Sequence, residues 1–287
     1  MSAAGPANQA FCAADARTRD FPFYAASLFV PPGPRRGWLA LAAFNAEIAH
    51  VRDHVTQPLT GEVRLQWWRD ALTGEGAGAD RDSVRSNPVA AETLRAIAAY
   101  DIPVEPLIRL IDAHVFDVYD DPMPDMAALE AHCRDTSAAL YALRARILGA
   151  SLPDVERLAE HAGIAEGLVE VMLALPRHAA RRQMYLPADL LRHHHVVAGR
   201  VFMREGGELL GAALKHLRGE ARAQLGQAMA LLAEAPAVAR PAFLPLALVA
   251  RMLDRLETAD PFAPPAPSRL LTLWTLWRAA RARVFRA

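Results

Sequence analysis

The chain has 287 residues, 53% of them hydrophobic, which is enough to bury one large core. Its 32 basic and 32 acidic residues leave no formal net charge, so no global field draws it to nucleic acid or to an anionic membrane. Two cysteines, Cys12 and Cys133, are too few and too far apart in sequence for a disulfide framework or a zinc site, and a reducing compartment is the default. Lys215 is the only lysine, a bias toward arginine that reads as GC-rich bacterial coding.

Residues 1–20 contain Asp15 and Asp20 and no continuous apolar stretch, unlike a secretory signal or an acid-poor transit peptide, and are expected as a flexible N-terminal arm. From Phe21 onward apolar residues recur every three to four positions and alternating stretches are nearly absent, which predicts an all-α fold in a single domain over 21–287. Helices are expected near 21–30, 35–54, 59–73, 88–99, 104–118, 126–148, 153–180, 205–234, 239–257 and 268–285. Breaks fall at Pro31–Pro34, Gly74–Gly78, Asp120–Pro124 and Pro261–Pro267, each with Gly or Pro chemistry. No apolar run reaches the ~18 residues of a spanning helix. The best candidate, Leu225 to Leu253, is cut by Glu234, Pro236, Arg240, Pro241 and Pro245. The expected location is cytoplasmic, at most peripheral at the inner membrane.

Taken in chain order, Glu47 and His50 form an E-x-x-H pair, and Glu166 and Glu170 stand at i and i+4 on a later helix, a combination that resembles half of a helical di-iron site. No second E-x-x-H falls on a suitable partner, which favours the polar lining of a cavity over a metal centre. Trp67 and Trp68 with Leu65 and Leu72 read as core. The string Asp120-Asp121-Pro122-Met123-Pro124-Asp125 looks like a diphosphate motif, but its prolines exclude a helix interior, so it is expected as a loop that caps the following helix. His193-His194-His195 suggests ligands, yet three consecutive side chains point in different directions, and a solvated helix end is expected. Arg52, Arg69, Arg181 and Arg182 are candidates for a phosphate-binding pocket that needs no metal, weighed against the more common role of surface arginines in so arginine-rich a chain. The last helix joins Leu271, Trp274, Trp277 and Phe285 to Arg278, Arg281, Arg283 and Arg286, a basic amphipathic pattern over 268–286 suited to closing the core, meeting a partner or touching a membrane surface.

Several segments in colinear order resemble the squalene/phytoene synthase family: Phe23-Tyr24-Ala25-Ala26-Ser27, Phe44 to Asp53, Leu65-Gln66-Trp67-Trp68-Arg69, Leu110-Ile111-Asp112, and Gly163 to Pro187 ending in Tyr185-Leu186-Pro187. The resemblance implies an isoprenoid-synthase-like helical bundle with a central cavity. It also implies, for an active member, two aspartate-rich motifs holding Mg²⁺ against a diphosphate. Aspartates at i and i+4 lie about 40° apart around a helix and reach one ion together. Here Ala49 and His50 replace the adjacent aspartates of the first motif, where only Asp53 remains, and Ala174 and His178 replace the two aspartates spaced four apart in the second. Ala138 and Tyr141 replace small glycines and are expected to narrow the channel for prenyl tails.

Within the family, Phe44-Asn45-Ala46-Glu47, Asp135 to Leu143 and Leu175 to Arg182 resemble the non-catalytic branch that includes the mitochondrial complex I assembly factor. The expectation is therefore a pseudoenzyme acting as an assembly or stability factor for respiratory NADH:quinone oxidoreductase, with no cofactor and with a subunit of that complex or a prenyl or lipid phosphate as partner. Expected ligand-facing residues are Tyr24, Arg52, Asp53, Arg69, Glu170, Arg181, Arg182 and Tyr185. The alternative is a head-to-head prenyltransferase condensing farnesyl or geranylgeranyl diphosphate, with Mg²⁺ on rearranged ligands Glu47, Asp53, Glu166 and Glu170.

Overall fold

The computed structural model describes residues 4–285 except 56, 76, 77, 120 and 267. Asp120 of the acidic string and Arg286 of the last helix lie outside the described residues. Among those described, every regular element is helical. The first half comprises α1 (Ala4–Arg19), α2 (Phe21–Ser27), α3 (Pro32–Ala49), α4 (Pro58–Thr73), α5 (Arg81–Ser86), α6 (Pro88–Tyr100), α7 (Glu105–Ala113) and α8 (Val115–Tyr119). The second comprises α9 (Met126–Cys133), α10 (Ala139–Ile147), α11 (Pro153–Leu173), α12 (Leu175–Ala180), α13 (Ala188–His193), α14 (Ala198–Phe202), α15 (Glu208–Glu234), α16 (Leu246–Arg255) and α17 (Arg269–Arg281).

Local chemistry accounts for many of these limits. Pro32, Pro58, Pro88 and Pro153 open α3, α4, α6 and α11 at the first helical position, where a missing N–H leaves no bond unmade. Asn87 Oδ1 accepts from the backbone N–H of Val89 and Ala90 to cap α6, and Gly74 closes α4 at φ 70°, a left-handed conformation that suits glycine. Asp121 to Asp125 is irregular, as the prolines require, and Asp125 caps α9 by accepting from Ala128 N at 2.8 Å.

The flexible arm expected over 1–20 is, from Ala4 to Arg19, a packed helix. Its contact face is made of small residues, with Cys12 and Ala16 fully buried, so it carries no bulky apolar stripe for a periodicity argument to detect. Arg36 ties it down, donating to Gly5 O at 2.9 Å and to both Glu92 carboxylate oxygens at 2.7 Å. Cys12 and Cys133 are free and buried, and burial pushes both thiols up to about 12, away from reactivity.

Two apolar clusters share α3 and α10. The larger gathers Phe23, Trp38, Tyr141, Leu168, Phe243 and Leu276, and the smaller gathers Phe44, Trp68, Leu107 and Leu143. Trp68 meets Phe44 edge-on at 5.3 Å and Trp67 packs beside it, the core role expected of that pair. The last helix turns a different side inward from the one its bulky residues suggest. Thr272, Leu276 and Ala279 are buried, whereas Trp274 and Trp277 are each 47% exposed beneath Arg278 and Arg281. No helix among the described residues is long and apolar enough to cross a membrane.

Candidate functional site

One helix, interrupted once, forms the floor of the site. Between α9 and α10 the turn Arg134–Ala138 is a π-helix, an insertion frequent at functional sites. Thr136 and Ser137 of this turn line the cavity with His132, Leu140 and Arg144 from the flanking helices. Across it lies α11, brought to near backbone contact by glycine. A Cβ on Gly163 would stand 2.1 Å from Ala138 N, and one on Gly167 would stand 2.5 Å from Cys133 Sγ. This approach presents Glu166 and Glu170, one turn apart, to the opening.

The cavity has an inner part of about 250 Å³, walled on its apolar side by Phe23, Leu140, Val169, Leu248, Val249 and Met252. An outer mouth of about 530 Å³ adjoins it, sharing Asp20, Asn45, Ala49, His114, His132 and Glu170. These are the dimensions of a small-molecule site. Tyr141, expected to narrow the channel, is fully buried and stacks on Phe243 at 5.4 Å, so it fills the wall behind the inner part. Ala138 instead meets Gly163 and lines a different surface depression.

All four positions where aspartates were expected, Ala49, His50, Ala174 and His178, converge on the mouth. His178 is buried, stacks on Tyr185 at 4.5 Å, and leaves Nδ1 without a hydrogen-bond partner. His114 and His132 stand nearby, with His132 and Phe116 edge-on to Tyr185. Burial, with Arg177 and Arg181 close by, lowers His178 to about 3, and burial beside His114 lowers His132 to about 3. Both imidazoles are therefore neutral hydrogen-bonding groups at physiological pH.

Deeper in, Arg144 is 3% exposed with its guanidinium 3.6 Å over the Phe23 ring and Nε unpaired. Burial lowers its pKa, while Glu166, Tyr141, Asp20 and Glu170 oppose that shift. Glu166 and Glu170 are both raised, first by loss of water and, for Glu170, next by the like charge of Glu166. Glu170 keeps accessible surface because it faces the cavity, yet protein surrounds that void and removes most of the water that would solvate its charge. The pair titrates as a unit. Because the folded-state values lie above the ordinary glutamate value of about 4.3, the native protein holds protons that the unfolded chain has released. Its contribution to stability is complete below that value and is lost as pH rises through the folded values. The double variant Glu166→Gln, Glu170→Gln is expected to lose this slope, so that wild type weakens relative to it as pH rises. Urea midpoints across the range measure this, and parallel curves would refute it. The histidine contributions, which run the opposite way, are common to both proteins and cancel.

The other sequence-predicted residues are not gathered here. Asp53 leaves the mouth and pairs with Arg181, Oδ1 to a terminal nitrogen at 2.5 Å. Glu47 binds Arg19 at 3.0 Å and Arg64 at 3.3 Å. Arg69 pairs with Asp112 in a separate depression on α4, Arg52 donates to Val55 O at 3.3 Å, and Arg182 is exposed. The expected cluster of phosphate-binding arginines is thus dispersed: Arg52 and Arg69 have partners on separate elements, Arg181 is held by Asp53, and its neighbour Arg182 faces solvent. Tyr24 packs beside Phe21 and yields its place in the cavity to Phe23. Tyr185 and Glu170 do face it.

A Mg²⁺ cluster does not fit this donor set. It needs several carboxylate oxygens from facing helices, but the mouth offers Asp20, Asp117 and Glu170. Asp20 accepts from Phe23 N, Asp117 stands 4.0 Å from His114 Nε2, and Glu170 is biased toward its protonated form. Glu47 and Asp53 face other partners, so the four rearranged ligands do not converge. Sequence reasoning missed Asp20, His114, His132 and Arg144. For Arg144, an arginine set between apolar residues on the buried side of α10 was the available signal.

A family model for squalene/phytoene synthase matches residues 16–278. The chain is 29% identical over 255 residues to the rat protein named NADH dehydrogenase (ubiquinone) complex I, assembly factor 6, covering 89% of this chain and 75% of that one. It is 23% identical over 206 residues to presqualene diphosphate synthase of Sinorhizobium fredii, covering 68% and 71%. In structure it resembles a dehydrosqualene synthase solved with a ligand, with TM-score 0.80 and 14% identity over 96% of this chain and 95% of that one. The assembly factor relatives come from animals and Dictyostelium, which lends no support to a bacterial source.

Proposed function

The chain belongs to the squalene/phytoene synthase family, and we propose that within it the protein is an assembly or stability factor for the respiratory NADH:quinone oxidoreductase and not a prenyltransferase. The observation that carries this reading is chemical. The fold still forms an open mouth, but Ala49, His50, Ala174 and His178 stand where carboxylates would grip metal, and the surviving Asp53 is neutralised by Arg181. Expelling diphosphate from an allylic carbon without a Lewis acid forgoes several kcal/mol of transition-state stabilisation. The likeness to the named assembly factors points the same way. The Trp274 and Trp277 face of α17, with arginines stacked on both rings, is the surface we assign to a partner subunit or the membrane headgroup region.

Purified protein given farnesyl or geranylgeranyl diphosphate with Mg²⁺ or Mn²⁺, beside an active family member, is expected to release no pyrophosphate above background. Sustained release would overturn the non-catalytic reading. Cells lacking the protein are expected to lose membrane NADH oxidation and regain it with the wild-type copy; unchanged oxidation would sink the assembly role. A second reading, binding of a prenyl or lipid phosphate, draws on the apolar inner cavity beneath a mouth lined by Arg19 and Arg177. Its mark is binding that survives EDTA.

A further inference from the structure

Away from the cavity, the end of α13 packs against α15 and brings three imidazoles together. His193 is the last residue of α13, His194 caps it, and His216 projects from α15. One ring nitrogen from each lies within 4.8 Å of the other two, and His194 Nε2 is 3.3 Å from His216 Nδ1. The three rings stand nearly perpendicular to one another, with interplanar angles of 89°, 84° and 86°. Among the described residues this is the one group of three or more histidine, cysteine or carboxylate side chains so disposed.

The 3.3 Å separation has a chemical meaning. Two imidazole nitrogens bound at about 2.0–2.1 Å to a tetrahedral Zn²⁺ lie about 3.3 Å apart. A neutral His–His hydrogen bond accounts for that pair alone. It leaves unexplained why His193 brings a third ring nitrogen within 4.8 Å of the other two. Three nitrogen donors and no carboxylate select a borderline transition metal over Mg²⁺ or Ca²⁺.

We propose that His193, His194 and His216 form a surface site for one divalent transition-metal ion, Zn²⁺ by its donor set, with the fourth position open to water or an external ligand. A metal there clasps the end of α13, and the chain leading to α14, onto the long helix α15. The consecutive histidines were expected to diverge, and one does: His195, at φ 54°, is not part of the group. The third ligand comes from a helix more than twenty residues further on.

Untagged full-length protein titrated with Co²⁺ is expected to develop intense visible absorption at one equivalent and to lose it to Zn²⁺. Removing a ligand by His216→Ala is expected to weaken Co²⁺ binding on the order of 100-fold or more, since altering even outer partners of a metal site costs about 10–100-fold. His195→Ala should leave it unchanged. Zn²⁺ should also raise the thermal midpoint of wild type and not of His216→Ala, a readout independent of any cellular role. Absence of Co²⁺ absorption, or equal binding by wild type and His216→Ala, would overturn the site. The histidines are at the surface, so circular dichroism of the variants is expected to match wild type, which keeps loss of binding distinct from loss of fold.

Discussion

Glu92→Ala is expected to destabilise the protein by about 3 kcal/mol, the lower end of the range for breaking an occluded ion pair by removing one partner. Glu92 is 2% exposed and accepts from Arg36 at 2.7 Å through both oxygens and from Arg95 Nε at 3.1 Å. The lower end applies because Glu92 is covered chiefly by those guanidiniums and by α1, near the surface and not at the centre of the core. Burial raises its carboxyl, but the hydrogen bonds from Arg36 and Arg95 outweigh it and hold the pKa below the ordinary value. That stabilisation is present above the unfolded value and is lost as pH falls through the folded one. Losing the carboxylate strands two guanidiniums and releases the Arg36 bond to Gly5 O that secures α1. At about 2–4 °C per kcal/mol for a chain near this size, the melting point should fall by roughly 6–12 °C. Glu92→Gln, which keeps shape and some hydrogen bonds, should fall less. A Glu92→Ala protein within 0.5 kcal/mol of wild type in urea would remove the pair from any structural role.

Gly163→Ala should cost about 3 kcal/mol or more, at the upper end of overpacking effects, because its neighbour cannot yield. The new Cβ would sit 2.1 Å from Ala138 N and 2.2 Å from Ala138 Cα, both backbone atoms of the π turn. α11 must therefore back away, carrying Glu166 and Glu170 with it and disturbing the cavity floor. Gly219→Ala supplies the contrast. It lies within α15 with nothing near its would-be Cβ, and the same substitution there should stabilise by about 0.4–1 kcal/mol. Opposite signs from one chemical change test the close helix approach. Equal, small effects would mean that α11 and the π turn are not in contact.

Helical periodicity placed most of the bundle correctly, and the Asp121 to Asp125 loop followed from proline alone. What periodicity could not detect were α1, whose contact face is built of Cys and Ala, and the short helices α5, α13 and α14, each about a turn or two long. The π turn was also invisible. The segment near 126–148 reads as one uninterrupted amphipathic helix, and the extra residue shows only in the backbone that packs on Gly163 and Gly167.

At the site, residue identity alone determined that carboxylates are missing from four positions, since no fold turns Ala49 or Ala174 into a ligand. Their convergence on one mouth required the tertiary structure. So did the fate of the charges that remain. Asp53 and Arg181, far apart in the chain, neutralise each other; Arg69 goes to Asp112; Arg144, Glu166 and Glu170 share an interior where lost hydration changes which of them is charged. The histidines follow the same division, two legible as neighbours in sequence and the third supplied by packing of α13 on α15. Sequence specifies which groups exist and how they repeat along a helix. Distance, desolvation and partner choice are properties of helices brought together, and those decide what the groups can do.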